Sequence, residues 1–128
     1  MDNATTLSVG RIALGAVSWV APRLALRTMM LDPEDVQGPF LLRLFGARDV
    51  ALGVVTLLAG PEARPALLKV GVAVDLSDAA ASGLAARAGA LRPLPATLIA
   101  GTALGAVATG LHALRDTGTP RRPIGSAS

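Results

Sequence analysis

The chain has no cysteine, no tyrosine, one tryptophan, two phenylalanines and one histidine in 128 residues. Without cysteine there is no disulfide, no thiolate nucleophile and no thiolate metal site. One imidazole is a weak ligand set by itself, so His112 reads as a headgroup or backbone contact. Aromatic stacking platforms are missing as well. The arginines, 11 of the 12 basic residues, are scattered rather than gathered into a stripe. The net charge of +3 therefore does not point to nucleic acid. Charged residues make up only 16% of the chain, against about 25% in an ordinary soluble domain. The N-terminus lacks a positive n-region and Arg11 interrupts the first apolar run, so a cleaved signal peptide is not expected. No Ser/His/acid arrangement, phosphate-binding loop or metal motif occurs. The expectation is a protein without enzymatic activity, cofactor or metal.

What the chain has is apolar residues, 52% of the total, and a mean hydropathy of +0.54. They fall into four segments, about 7–21, 41–59, 66–87 and 94–114. Pro22 ends or kinks the first. Residues 22–39 form the longest connection. Within it, Arg23 to Leu31 suits a short amphipathic helix at an interface, and Pro33 after Asp32 suits a first helical position. Residues 60–65 and 88–93 are short turns. Residues 117–128 are rich in Pro, Gly, Ser and Arg and read as a disordered basic tail. The expected fold is all-α, a four-transmembrane-helix up-down-up-down bundle over residues 1–116.

Three of the segments carry internal charge. The second holds Arg48 and Asp49 side by side, each about 12 Å from its nearer end, where charge is costly in lipid. Helical spacing puts Ser8, Arg11, Gly15 and Ser18 on one face of the first segment. It groups Gly46, Arg48, Asp49, Gly53 and Thr56 in the second, and Gly71, Asp75, Asp78 and Ser82 in the third. In the fourth, Thr97, Gly101, Gly105, Ala108 and His112 share a face, and Gly101-x-x-x-Gly105 is a small-residue packing pattern. These glycines are expected to pack within the bundle, with a homodimer seam as the alternative. Ser8, Ser18, Ser77 and Ser82 read as helix–helix hydrogen-bond donors rather than nucleophiles. A soluble four-helix bundle would need a wide polar face on each helix. These stripes are narrow, which favours the membrane.

In such a bundle the middles of the second and third segments meet. Arg48 is then expected to pair with Asp75, Asp78 or both, while Arg11 and His112 lie toward the end that holds the termini. Three carboxylates facing one central arginine leave an imbalance. Either one carboxyl keeps its proton, or a proton or cation is bound.

With four spans both termini share a side. Arg64, Lys69, Arg115, Arg121 and Arg122 lie near it, and Arg23, Arg27, Arg43, Arg87 and Arg92 lie near the other. Five against five does not orient the protein by loop charge. Cytoplasmic termini are expected because the basic tail then needs no translocation.

Gly10-Arg-Ile-Ala-Leu-Gly15, Ala21-Pro-Arg23, Leu31-Asp-Pro33, Arg43-Leu-Phe-Gly-Ala-Arg-Asp-Val-Ala-Leu-Gly53, Val74-Asp75 and Asp78 follow one another in an order that resembles a family of small bacterial four-helix membrane proteins with a domain of unknown function. The likeness spans roughly residues 7–114. Its most specific part is Arg-x-x-Gly-x-Arg-Asp, matched by Arg43, Gly46, Arg48 and Asp49. The chain is more loosely similar to DoxX-like membrane proteins. The resemblance implies the fold and a cell-membrane location and carries no activity.

Two functions are consistent with these residues. One is a structural or interaction subunit with a buried centre of Arg11, Arg48, Asp49, Asp75 and Asp78, packed through Gly15, Gly46, Gly53, Gly101 and Gly105. Its partners would be the lipid bilayer and either another membrane protein or a second copy of the chain. The other is a proton- or cation-coupled transporter or channel subunit that uses Asp75 and Asp78.

Overall fold

A computed structural model describes residues 1–119 and Gly125. Five helices and no strand occur among them: α1 (Asn3–Val20), α2 (Pro22–Thr28), α3 (Gly38–Leu58), α4 (Arg64–Arg87) and α5 (Pro93–Gly118). The tail assigned to 117–128 lies outside the described residues, apart from Gly125 and the stretch 117–119. Thr117 and Gly118 complete α5.

Local chemistry sets the helix starts. Asp2 is extended and its Oδ1 accepts a 2.7 Å hydrogen bond from the Thr5 amide, an N-cap that begins α1 at Asn3 rather than Leu7. Pro22, Pro39, Pro65 and Pro93 each occupy the first turn of their helices. There the missing N–H has no intrahelical partner to lose. Pro33 does not start a helix. Asp32 and Asp35 instead turn the chain, accepting from the amides of Glu34 and Gln37.

Helix ends are equally specific. Gly89, at φ +72°, closes α4, with the Ala90 amide bonded back to Ala85 O at 2.9 Å. The same geometry closes α2 with Met30 at φ 58°, the Leu31 amide reaching Leu26 O at 2.8 Å. Arg64 Nη2 donates to Leu57 O and Ala59 O and so covers the end of α3. Between α1 and α2 the chain bends by 115° at Ala21.

The four long helices form an antiparallel ring in the order α1, α3, α4, α5. Tight packing joins α1 to α3 and α4 to α5; the α3–α4 seam is the loosest side. Asn3 donates to Asp116 at 2.9 Å at the end holding the N-terminus, and Arg92 donates to Met30 O at 2.8 Å at the other.

The interior is made of small and polar residues. Five of the eight buried hydrophobic residues are alanine, and Ser8, Arg11, Ser18, Asp49, Thr56, Asp75 and Ser82 are buried beside them. Large apolar side chains such as Val17, Trp19, Phe40, Leu44, Leu76, Leu104 and Leu111 face outward. α5 is long and apolar enough to cross a membrane, and only 28% of its apolar stretch is buried. α1 and α2 pass the same test only when taken together.

Candidate functional site

The centre of the ring is a charged cluster drawn from α1, α3 and α4. Arg11 lies about 12 Å along a helix about 27 Å long, near mid-height. The expectation that it lies toward the end holding the termini is corrected, because the Asp2 cap lengthens α1 at its start. From there Arg11 reaches diagonally across the ring. Its Nη1 donates to Asp75 Oδ1 at 3.1 Å and its Nη2 to Asp75 Oδ2, forming a two-pronged pair. Nη1 also lies 3.5 Å from Asp49 Oδ1.

Arg48 makes the second fork. Its Nη1 and Nη2 donate to Asp78 Oδ1 and Oδ2 at 3.2 and 2.6 Å. Arg48 therefore pairs with Asp78 alone of the two aspartates expected for it; Asp75 belongs to Arg11. The Phe45 ring centroid lies 4.9 Å from the Arg48 guanidinium carbon, a cation–π contact. Arg48 Nε is buried without a partner.

Asp49 stands between the two arginines with no fork of its own. Its Oδ1 is 3.5 Å from Arg11 Nη1 and 3.9 Å from Arg48 Nη2. Two guanidiniums thus face three carboxylates, and Asp49, which accepts a single 3.5 Å bond from Arg11, is the one without a two-pronged partner.

The cluster has a dry side and a wetter side. Side chains of Arg11, Asp49 and Asp75 are 8, 5 and 6% exposed, whereas those of Arg48 and Asp78 are 38 and 25% exposed. The difference follows from helix packing, since Arg48 and Asp78 bridge the loose α3–α4 seam and Arg11 crosses the closed interior.

Glycines make the approach possible. A Cβ at Gly15 would stand 2.5 Å from Gly46 O, and one at Gly53 2.7 Å from Ser8 O, so α1 and α3 touch backbone to backbone. Gly71 makes room for a side chain instead, since a Cβ there would meet Arg11 Nη2 at 3.1 Å. It lies one turn before Asp75 on the predicted face, a position that marks it as the floor for an incoming guanidinium.

Gly101 and Gly105 do not pack within the bundle. Both are exposed, and a Cβ at either would meet nothing within 4 Å. The buried face of α5 holds Ala96, Ala103, Val107, Gly110 and Ala113. At Gly110 the helix meets Val72, 2.7 Å from where a Cβ would stand. Thr97, Ala108 and His112 turn outward with the two glycines.

Ser18 and Ser82 are not cross-helix donors; each bonds to the carbonyl four residues earlier in its own helix, Leu14 O and Asp78 O. Ser77 is exposed, while Ser8 is buried where α1 meets Gly53. Among the described residues no group of three or more His, Asp or Glu side chains is arranged to hold a metal ion. Two surface recesses lie elsewhere, one beside the α2–α3 loop and one in the crease between α1 and α3, and neither is lined by the charged cluster.

Comparison with protein-family models, curated proteins and solved structures gives no match. The functional reading therefore rests on geometry and chemistry.

Proposed function

We propose that this chain is a small integral membrane protein with four spans, α1, α3, α4 and α5, in which the charged cluster clamps α4 to the α1–α3 pair. The observation that carries the reading is the inverted distribution of side chains. Small and polar residues are buried, and large apolar ones cover the outside. Water would penalise that exposed area, whereas lipid favours it. α3 and α4 are about 31 and 36 Å long, enough for a hydrocarbon core of about 30 Å. Of their central charges, Arg48, Asp75 and Asp78 are held in two-pronged pairs, so composition alone understates their fitness for lipid. α2, bent away from α1 with Arg23 and Arg27 exposed, suits the headgroup layer.

The clamp has the chemistry of fixation. Each arginine uses both terminal nitrogens on one carboxylate, which fixes rotation and register of the helices together. The protein acts as a structural or interaction subunit of the cell membrane, with cytoplasmic termini and without enzymatic turnover.

Its lack of cysteine makes the topology directly measurable. Single substitutions Glu34→Cys, Ala63→Cys and Ala90→Cys are labelled with an impermeant thiol reagent in intact cells and again after lysis. Four spans require Glu34→Cys and Ala90→Cys on one side and Ala63→Cys on the other. Labelling of all three from one side, or release of the protein by an alkaline carbonate wash, rejects the reading.

A second reading, proton- or cation-coupled transport, rests on Asp49. Asp75 and Asp78 are each held by an arginine, and Asp49 is the surplus carboxylate behind the partly exposed Arg48–Asp78 pair. In reconstituted vesicles Asp49→Asn then abolishes flux while the protein stays folded. Flux that survives this change removes Asp49 from the pathway.

A further inference from the structure

The crease between α1 and α3 has a floor, walls and a charged end. Gly15 and Gly46 bring the two backbones into contact, and an apolar valley runs along the outside of that contact. Val50, packed against Gly15, forms its floor, with the exposed Ala16, Ala47, Ala51, Val54 and Trp19 around it and a volume of about 540 Å³. The lining is apolar along its length. On α3 the lining residues 47, 50, 51 and 54 recur at helical spacing, and residue 43 is one turn earlier on the same face.

That residue is Arg43. It is exposed, its Nε donates to Trp19 O at 3.2 Å, and its guanidinium carbon lies 5.9 Å from the Trp19 ring centroid. Trp19 is also part of the groove wall. The backbone bond and the ring hold the Arg43 side chain at the groove's end and leave both terminal nitrogens free. Among the described residues no carboxylate pairs with them. A fixed guanidinium with two free donors is matched to a phosphate oxygen pair. The apolar lining runs from Ala47 to Val54 on α3, about two turns or ~11 Å, and ends at such a group near the Arg23 end of the ring, so it takes the part of an acyl chain nearest the headgroup.

We propose that the α1–α3 groove is a binding site for an anionic phospholipid, with one acyl chain in the trough and the phosphate on Arg43. The inference rests on the membrane reading above and adds a site to it. The occupant is a lipid rather than free phosphate because the lining is predominantly apolar and Trp19 joins it to the Arg43 guanidinium.

The test is native mass spectrometry of the full chain in mild detergent with added phosphatidylglycerol or phosphatidylcholine of identical chains, and with glycerol phosphate as the chain-free probe. The wild type is expected to retain phosphatidylglycerol over phosphatidylcholine and to ignore glycerol phosphate. Arg43→Gln should reduce that selectivity about fivefold, the effect of one basic residue near an anionic surface. Arg43→Lys, which keeps the charge without the Nε–Trp19 bond, should retain part of it. Ala51→Leu, at an exposed position in the lining, should reduce retention of both lipids. Selectivity unchanged in Arg43→Gln, or retention unchanged in Ala51→Leu, overturns the proposal. Failure of the membrane reading is separate, since it appears as protein that stays soluble without detergent.

Discussion

The guanidinium of Arg11 on α1 rests against Gly71 on α4, one turn before the aspartate it pairs with. A Cβ at Gly71 would stand 3.1 Å from Arg11 Nη2. The charged centre is therefore assembled from a cation, its carboxylate and a missing side chain that makes room for it. Gly71→Ala asks a pinned guanidinium to shift by a few tenths of an ångström and should cost about 1–2 kcal/mol. Gly71→Leu should displace Arg11 from Asp75 and leave little folded protein. Thermal unfolding in detergent reads both; a Gly71→Leu variant as stable as the wild type would separate Gly71 from the clamp.

The two arginines are not equivalent. Arg11→Leu strands Asp75 and removes the nearest cation from Asp49, on the side where these carboxylates are 5–6% exposed. The expected loss is about 3–5 kcal/mol. Arg48→Leu strands a carboxylate that is 25% exposed, so its cost should be clearly smaller. If the Arg48 variant proves the less stable, the ranking by burial is wrong. Replacing Arg11 and Asp75 together by Met and Leu should recover part of the single-variant loss, since the interior then holds no stranded charge from that pair.

Small residues separate by face. Gly15→Val and Gly53→Val force the α1 and α3 backbones apart and should abolish accumulation of folded protein. Gly101→Leu and Gly105→Leu meet open space and should change the unfolding temperature by no more than a few degrees. An equally severe outcome at Gly101 would mean that this outward face is covered in the membrane, as at a seam between two copies.

Met30 holds a left-handed backbone conformation that costs a non-glycine residue about 1 kcal/mol, while Gly89 fills the same role at the end of α4. Met30→Gly should therefore stabilise the fold by up to about 1 kcal/mol, provided that the Arg92 bond to its carbonyl persists. A lowered unfolding temperature would show that the Met30 side chain contributes more than its backbone strain costs.

The inward stripes of α1, α3 and α4 were legible because each mixes ionic or hydroxyl groups with glycine at intervals of three and four. Only one face of each helix could be buried without exposing those groups to lipid or leaving them unpaired. α5 has no charge in its apolar span and carries small residues on two faces. Glycine spacing favoured the Gly101–Gly105 face, yet the fit of Gly110 against Val72 buries the other. Nothing in the stretch Arg27-Thr-Met-Met30 signals a left-handed residue, since no glycine marks it.

By itself the sequence determined the all-helical class, the inward stripes of three long helices and which charged residues gather at the centre. Those properties depend on spacing along one helix and on side-chain chemistry. Only the tertiary structure decided the partners. Whether Arg11 or Arg48 meets Asp75 depends on where α1 begins, how closely the glycines let α1 approach α3, and which diagonal of the ring a long side chain can span. Arg11 was thereby moved from the edge of the cluster to its driest pair, and Asp49 became the carboxylate without a fork. These distances arise between helices, and no periodicity within a single helix encodes them.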